Sequence, residues 1–199
     1  MNKKDKLALF LGMLSGDGCL SIAHNGEGYR DYPIDFCNTE KEKVILFYNL
    51  FFDLFGVHGT ISSVKRAENR KRLWSFRKHS VKVAGELKKL GFPEGVKRDI
   101  LRIPNIIKKG SDKEKLAFIH GVIITDGSVN DKRVLFHSGS KLFLEDMSEL
   151  IGEFVGCVKP IKEYTQREIY KSYQLCLNKE ERDILLSKCP RATMVLGQS

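Results

Sequence analysis

The segment "LALFLGMLSGDGCL", Leu7 to Leu20, returns as "LAFIHGVIITDGSV", Leu116 to Val129. Leu7, Ala8, Gly12, Asp17 and Gly18 recur as Leu116, Ala117, Gly121, Asp126 and Gly127, each 109 positions on and without a gap. A chain that repeats a motif at this distance is built from two copies of one unit, which restricts it to pseudo-symmetric folds. Within each copy Gly12 and Gly16, or Gly121 and Thr125, stand one helical turn apart and so share a face. Small residues at that spacing let two helix backbones touch. Leu9, Phe10, Leu11, Met13 and Leu14 surround the first helix with apolar side chains, as Phe118, Ile119, Val122, Ile123 and Ile124 do the second. Both helices are therefore expected at the centre of the molecule, crossing at Gly12, Gly16, Gly121 and Thr125.

The repeat continues beyond the motif. "YPIDFCNTEKEKVILFYNLFFDLFGVHGTI" and "RVLFHSGSKLFLEDMSELIGEFVGCVKPI" each read as an alternating strand, a polar turn, an amphipathic helix, a glycine exit and a β-branched strand. "RLWSFRKHS" and "KSYQLCLNK" alternate in the same way before a last short helix. Each half is thus α-β-β-α-β-β-α, an α+β fold with two four-stranded antiparallel sheets. The first repeat is expected over 1–103 and the second over 116–199. Between them 104–115 is a linker broken by Pro104 and Gly110, where Ser111 and Glu114 form a capping box.

Asp17 and Asp126 fall at the helix C-terminal ends, where the helix dipole disfavours a carboxylate by a few tenths to about 1 kcal/mol. Gly18 and Gly127 follow as left-handed exits. If the helices lie side by side, both carboxylates and the last-turn carbonyls of Gly16 and Thr125 converge at one edge. Such a cluster of hard oxygens suits Mg²⁺, with Mn²⁺ as the alternative. Asp-Gly is also a common turn dipeptide, but its recurrence in fixed register favours the paired site.

A net charge of +9 points to a polyanion as partner. With 42% hydrophobic residues the chain can pack a core. No apolar run reaches the roughly 20 residues of a membrane-spanning helix, and "MNKKDK" leads into the acid-bearing helix instead of a cleavable signal. An intracellular protein is expected, cytoplasmic, nucleoid-associated or in an organelle. The five cysteines are widely spaced without a C-x-x-C pair, so we read them as reduced, mostly half-buried thiols.

These features resemble the single-chain, two-motif LAGLIDADG homing endonucleases, through "FLGMLSGDG" and "IHGVIITDG" and through the order of elements over the whole chain. The resemblance implies a DNA-binding saddle with the motif helices packed at the pseudo-dyad. It also implies an intron-homing monomer whose metal-dependent hydrolysis cuts both strands of a long duplex site, leaving short 3′ overhangs. Asp17 and Asp126 would hold metal with the carbonyls of Gly16 and Thr125. "GFPEGVKRDILRIP" resembles the family's G-x-K segment, which makes Lys97 the basic catalytic candidate; Lys188 and Arg191 are positional guesses for the second repeat. Asn38 and Ser138 stand where a water-positioning side chain is often found. Ser15 and Ile124 replace the motif's first acid, and His120 occupies a position where a small residue is usual.

Recognition is expected from the sheets, whose two parities face core and ligand. With Ile34, Phe36, Trp74 and Phe76 inward, Asp35, Ser75 and Arg77 face DNA, with Arg30, Arg66, Arg70 and Arg72 near hairpin ends. With Val134, Phe136, Tyr173 and Leu175 inward, Arg133, His137, Ser172 and Gln174 face outward, with Lys162, Tyr164 and Gln166 nearby. Unequal halves imply an asymmetric double-stranded target of about two helical turns. Alternatives are an intron maturase with RNA as partner, or a regulator on the same fold that has lost cleavage. An intein is not expected, since the chain neither starts with Cys or Ser nor ends in His-Asn.

Overall fold

The computed structural model describes residues 1–24, 30–65, 71–166 and 170–189. The first motif helix, α1 (Lys3–Asp17), starts on Asn2, whose side chain accepts from Asp5 N at 2.9 Å. It runs without a loop into β1 (Gly18–Leu20). A short hairpin, β2 (Ala23–His24) and β3 (Arg30–Asp31), is inserted before β4 (Pro33–Asn38). Then follow α2 (Lys41–Phe55), β5 (Thr60–Val64), β6 (Leu73–His79) and α3 (Val81–Lys89). After α4 (Asn105–Lys108) the order repeats. It runs through α5 (Asp112–Asp126), β7 (Gly127–Val129), β8 (Val134–Ser138), α6 (Lys141–Val155), β9 (Lys162–Gln166), β10 (Tyr170–Leu177) and α7 (Lys179–Lys188).

The two main sheets are antiparallel with orders β1-β4-β6-β5 and β7-β8-β10-β9. Their registers are equivalent: Gly18 pairs with Phe36 and Phe36 with Phe76, as Gly127 pairs with Phe136 and Phe136 with Leu175. The expected α+β architecture of two repeats is therefore present, with the small hairpin as an addition to the first. In the second repeat the strand after α6 begins only at Lys162, past Pro160, which has no N–H to give a ladder.

Alternation explains the packing. Ile34, Phe36 and Phe76 are buried in the core, where the Phe36 ring stacks on Phe47 of α2 at 4.3 Å between centroids and Phe76 lies against Phe47 and Phe51. Val44, Phe47, Leu50 and Phe51 form the one apolar stripe of α2, which is why that helix covers a sheet face. The same places in the second repeat are filled by Val134, Phe136, Leu175, Met147 and Ile151. Of the thiols, Cys19, Cys37 and Cys176 are half-buried, as expected for most of them, while Cys157 is exposed and Cys189 buried; none is in a disulfide.

α1 and α5 are buried along Ala8–Ser15 and Leu116–Ile124. They cross with their backbones in contact: a Cβ on Gly12 would collide with the Phe118 carbonyl and lie 3.0 Å from Gly121 Cα, and one on Gly121 would lie 2.8 Å from Met13 N. His120 is buried in α5. The helix exits differ from expectation. Gly18 (φ −93°, ψ 163°) and Gly127 (φ −85°, ψ 143°) are extended, not left-handed. Glycine stands there because the chain turns from helix straight into strand over its own last turn. A Cβ would lie 2.7 Å from the Leu14 carbonyl oxygen in one repeat and 2.6 Å from Ile123 Cα in the other.

The segment expected as linker contains α4 and the first turn of α5, where Ser111 Oγ accepts from Glu114 N at 3.4 Å. It and the two residues before it are fastened to α6 by Asp146, only 4% exposed, which accepts from Ile103 N at 3.0 Å, Arg102 at 3.2 Å and Lys108 at 2.5 Å. Among the described residues no helix is long and apolar enough to cross a membrane.

Candidate metal centre and nucleic-acid interface

Backbone contact between the helices carries Asp17 and Asp126 to one place. The Asp126 carboxyl carbon lies 3.2 Å from where a Cβ of Gly16 would be, and Thr125 Cβ lies 2.6 Å from that point. Thr125 itself is turned back onto its helix, donating to the carbonyls of Gly121 at 3.1 Å and Val122 at 3.2 Å. Burial pushes the Asp126 carboxyl up to about 7, the nearby Asp17 charge adds to the rise, and Lys97 opposes it. Burial also raises Asp17, less so, because Asn38 Nδ2 donates to Asp17 Oδ2 at 2.6 Å and Lys97 and Lys43 lie near. Two carboxylates sharing a half-buried position at two helix C-termini repel each other, and a cation relieves that repulsion.

One cation is already there. Lys97 Nζ donates to the Ser15 carbonyl at 2.6 Å, to the Leu14 carbonyl at 3.3 Å and to the Gly16 carbonyl. Its loop reaches the site because Gly95 takes φ +77° and donates its N–H to the Leu20 carbonyl at 2.7 Å. Burial lowers the Lys97 proton affinity, while Asp126 and then Asp17 raise it. The last turn of α1 thus accepts positive charge, and with two carboxylates beside it the donor set is of the hard-oxygen kind that a divalent ion such as Mg²⁺ takes. Among the described residues no three or more His, Cys, Asp or Glu side chains are grouped so that they could hold a metal ion by themselves.

Two cavities flank the acids. One, of about 580 Å³, is lined by Asp126, Lys97, Arg98, Ser138, Ser15 and Cys19. The other, of about 310 Å³, is lined by Asn38, Glu40, Lys43, Thr125 and Ser128. Asn38 and Ser138 hold equivalent positions, at the ends of β4 and β8, one in each cavity. The basic group of the second cavity is Lys43, which sequence reasoning missed. It is buried on α2 and paired with Glu40 at 2.7 Å. A lysine at a buried helix position was the available signal. Lys188 is not near the acids: it donates to the Phe154 carbonyl at 3.2 Å and lines a hollow with Met1 and Asp5, by the opposite helix ends. Arg191 lies outside the described residues.

On the first sheet Asp35, Ser75 and Arg77 share the outward face as expected. Asp35 and Arg77 bind each other, and Ser75 Oγ meets Ser62 Oγ at 2.9 Å. Arg72 is exposed, donating to Ser63 Oγ at 3.0 Å. On the second, His137 Nδ1 meets Tyr164 Oη at 2.9 Å, and Gln174 Nε2 lies 3.4 Å from His137 Nε2. Arg133 and Lys162 are exposed. Ser172 departs from expectation: it is on the outward parity but buried at 8% exposure, because it stands opposite Tyr164, whose side chain reaches His137 across the same face. Arg66 and Arg70 lie outside the described residues; Arg30 and Gln166 are in β3 and β9, and their side chains are outside them too.

Two crossed helices with acids at their tips, each continuing into a four-stranded sheet, define the LAGLIDADG fold. Residues 113–190, most of the second repeat, match the family model described as a LAGLIDADG-like domain. Among solved structures the chain is similar to the homing endonuclease I-DmoI in complex with DNA and Ca, with TM-score 0.71, 19% identity and 98% of each chain covered. A complex of I-DmoI with DNA and Mn matches with TM-score 0.64 and 20% identity over 87% of this chain and 90% of that one. The homing endonuclease I-WcaI bound to its DNA recognition sequence matches with TM-score 0.57 and 9% identity, over 100% of this chain and 87% of that one. A comparison with curated protein sequences finds no match.

Proposed function

We propose that this chain is a site-specific, divalent-metal-dependent DNA endonuclease acting as a single molecule on an asymmetric duplex. The observation that carries the reading is the meeting of Asp17 and Asp126 at the tips of two helices whose glycines touch, with a polar sheet face extending from each tip. In addition, the similar structures named above were solved with DNA, and the two of I-DmoI also with Ca or Mn.

Asp17 and Asp126, with the Gly16 and Thr125 carbonyls, are the residues that would hold Mg²⁺ or Mn²⁺. When bound, the ion polarises the phosphate and lowers the pKa of its water. The protein's own groups do the rest. Asn38 fixes the Asp17 carboxylate, and Ser138 presents a hydroxyl in the matching cavity. Lys97 and Lys43, one in each cavity, bring positive charge to the place where phosphate charge develops. On the same reading the polar residues of the two sheets contact base edges and phosphates.

A second reading, a protein of this fold that binds nucleic acid without cutting, draws support from the position of Lys97, whose ammonium already sits on the Gly16 carbonyl. Supercoiled plasmid carrying candidate sites, incubated with Mg²⁺ and separately with EDTA, tests the two. Metal-dependent linear product, lost in Asp17→Asn with binding kept, supports the nuclease. Tight retention of DNA or RNA without any break supports the second reading.

A further inference from the structure

Across the first sheet Cys19, Asp35, Arg77 and Thr60 form one row, each residue facing its neighbour on the next strand. In the middle of that row Arg77 Nε donates to Asp35 Oδ1 at 2.6 Å and Nη2 donates to Asp35 Oδ2 at 3.1 Å. The carboxylate is mostly covered, at 18% side-chain exposure, while the guanidinium stands out at 60%. This contact uses the side edge of the planar fork. The N–H groups at the far end, on Nη1 and on the outer side of Nη2, point away from Asp35 and lie in its plane. A pair of parallel donors in a fixed plane matches the O6 and N7 acceptors of guanine in the major groove. A carboxylate on this face opposes phosphate, so the pair is ill suited to clamping backbone.

The equivalent place in the second sheet is held by Leu135 facing Cys176, which offer no such fork. Resting on the DNA reading above, we propose that Arg77 reads one guanine in the half-site under the first sheet, and that Asp35 is the positioning residue that sets the plane of its guanidinium. The mirrored position of the other half-site then carries no guanine requirement.

Binding selection tests this with the full chain in EDTA, so that nothing is cut, on duplexes randomised over about 20 base pairs, two helical turns. The wild type enriches an asymmetric motif with a guanine column in one half and none at the mirrored place. Arg77→Ala loses that column and keeps the others, with the guanine site weakened roughly 5- to 100-fold. Arg77→Lys, which keeps charge and fold but not the fork, also loses the column while non-specific affinity stays. Asp35→Ala relaxes the same column and keeps the others, and Arg77→Ala leaves the salt dependence of binding unchanged, whereas loss of a phosphate contact would lower it. An enriched motif whose columns are the same in wild type and Arg77→Ala overturns the proposal and leaves DNA binding standing. Failure of the wild type to enrich any motif overturns the DNA reading itself.

Discussion

Asp126 holds its proton up to about pH 7, whereas an ordinary aspartate loses it near 4. The folded protein therefore binds more protons than the unfolded chain between those values, and linkage makes stability fall as pH rises through that window. Metal-free, DNA-free protein should melt at progressively lower temperature from about pH 4 to about pH 7 and level off above, and Asp126→Asn should remove most of that decline; thermal melts across a pH series measure both. An equally steep decline in the variant would mean that another group is responsible. Lys97 acts on the same cluster of oxygens. Its ammonium sits on the carbonyls that the proposed metal would share, so Lys97→Met should let Mg²⁺ raise the melting temperature of the DNA-free protein more than it does for wild type. A Mg²⁺ titration read by melting separates the two cases. Asp17, Asp126 and Lys97 were legible in the sequence because each sits in a short motif. The placement of Lys43 in a cavity with Thr125 and Ser128 and the pairing of Asp35 with Arg77 were not, since both depend on segments far apart in the chain meeting in space.

The helix pair tests the packing argument at the level of elements. Alanine at Gly12 forces a Cβ against backbone that cannot give way, so Gly12→Ala should cost about 2 kcal/mol or more. Gly85 in α3 has no neighbour within 4 Å of an added Cβ, and Gly85→Ala should stabilise by about 0.5–1 kcal/mol through helix propensity. Chemical denaturation of the two variants should thus move in opposite directions; a loss for both would mean that crowding is not what selects glycine at Gly12. The segment after α3 offers a further case. Asp146→Ala leaves Ile103 N, Arg102 and Lys108 without their shared acceptor, with an expected loss of about 3 kcal/mol in the same measurement. Helix and strand order could be read from periodicity, because each element repeats. The extended geometry at Gly18 and Gly127 could not, because glycine serves a left-handed turn and a crowded extended exit equally well.

At the scale of the whole molecule, +9 net charge meets two sheets with polar outer faces. Binding to duplex DNA should weaken on the order of 100-fold between about 50 and 200 mM salt, the change expected if about four phosphates are neutralised. Fluorescence anisotropy at several salt concentrations gives the slope, and a flat line would exclude a phosphate-dominated contact. The sequence by itself determined the two-fold plan, the central helices and the acids at their ends, because a motif repeated in register encodes helix faces and termini locally. The tertiary structure alone decided which groups those acids meet: Lys97 on the carbonyls of α1, Lys43 in the opposite cavity, and Asp35 across from Arg77. Such meetings depend on sheet register and on how loops fold back, and these are set by the packing of the whole chain instead of by any one stretch of it.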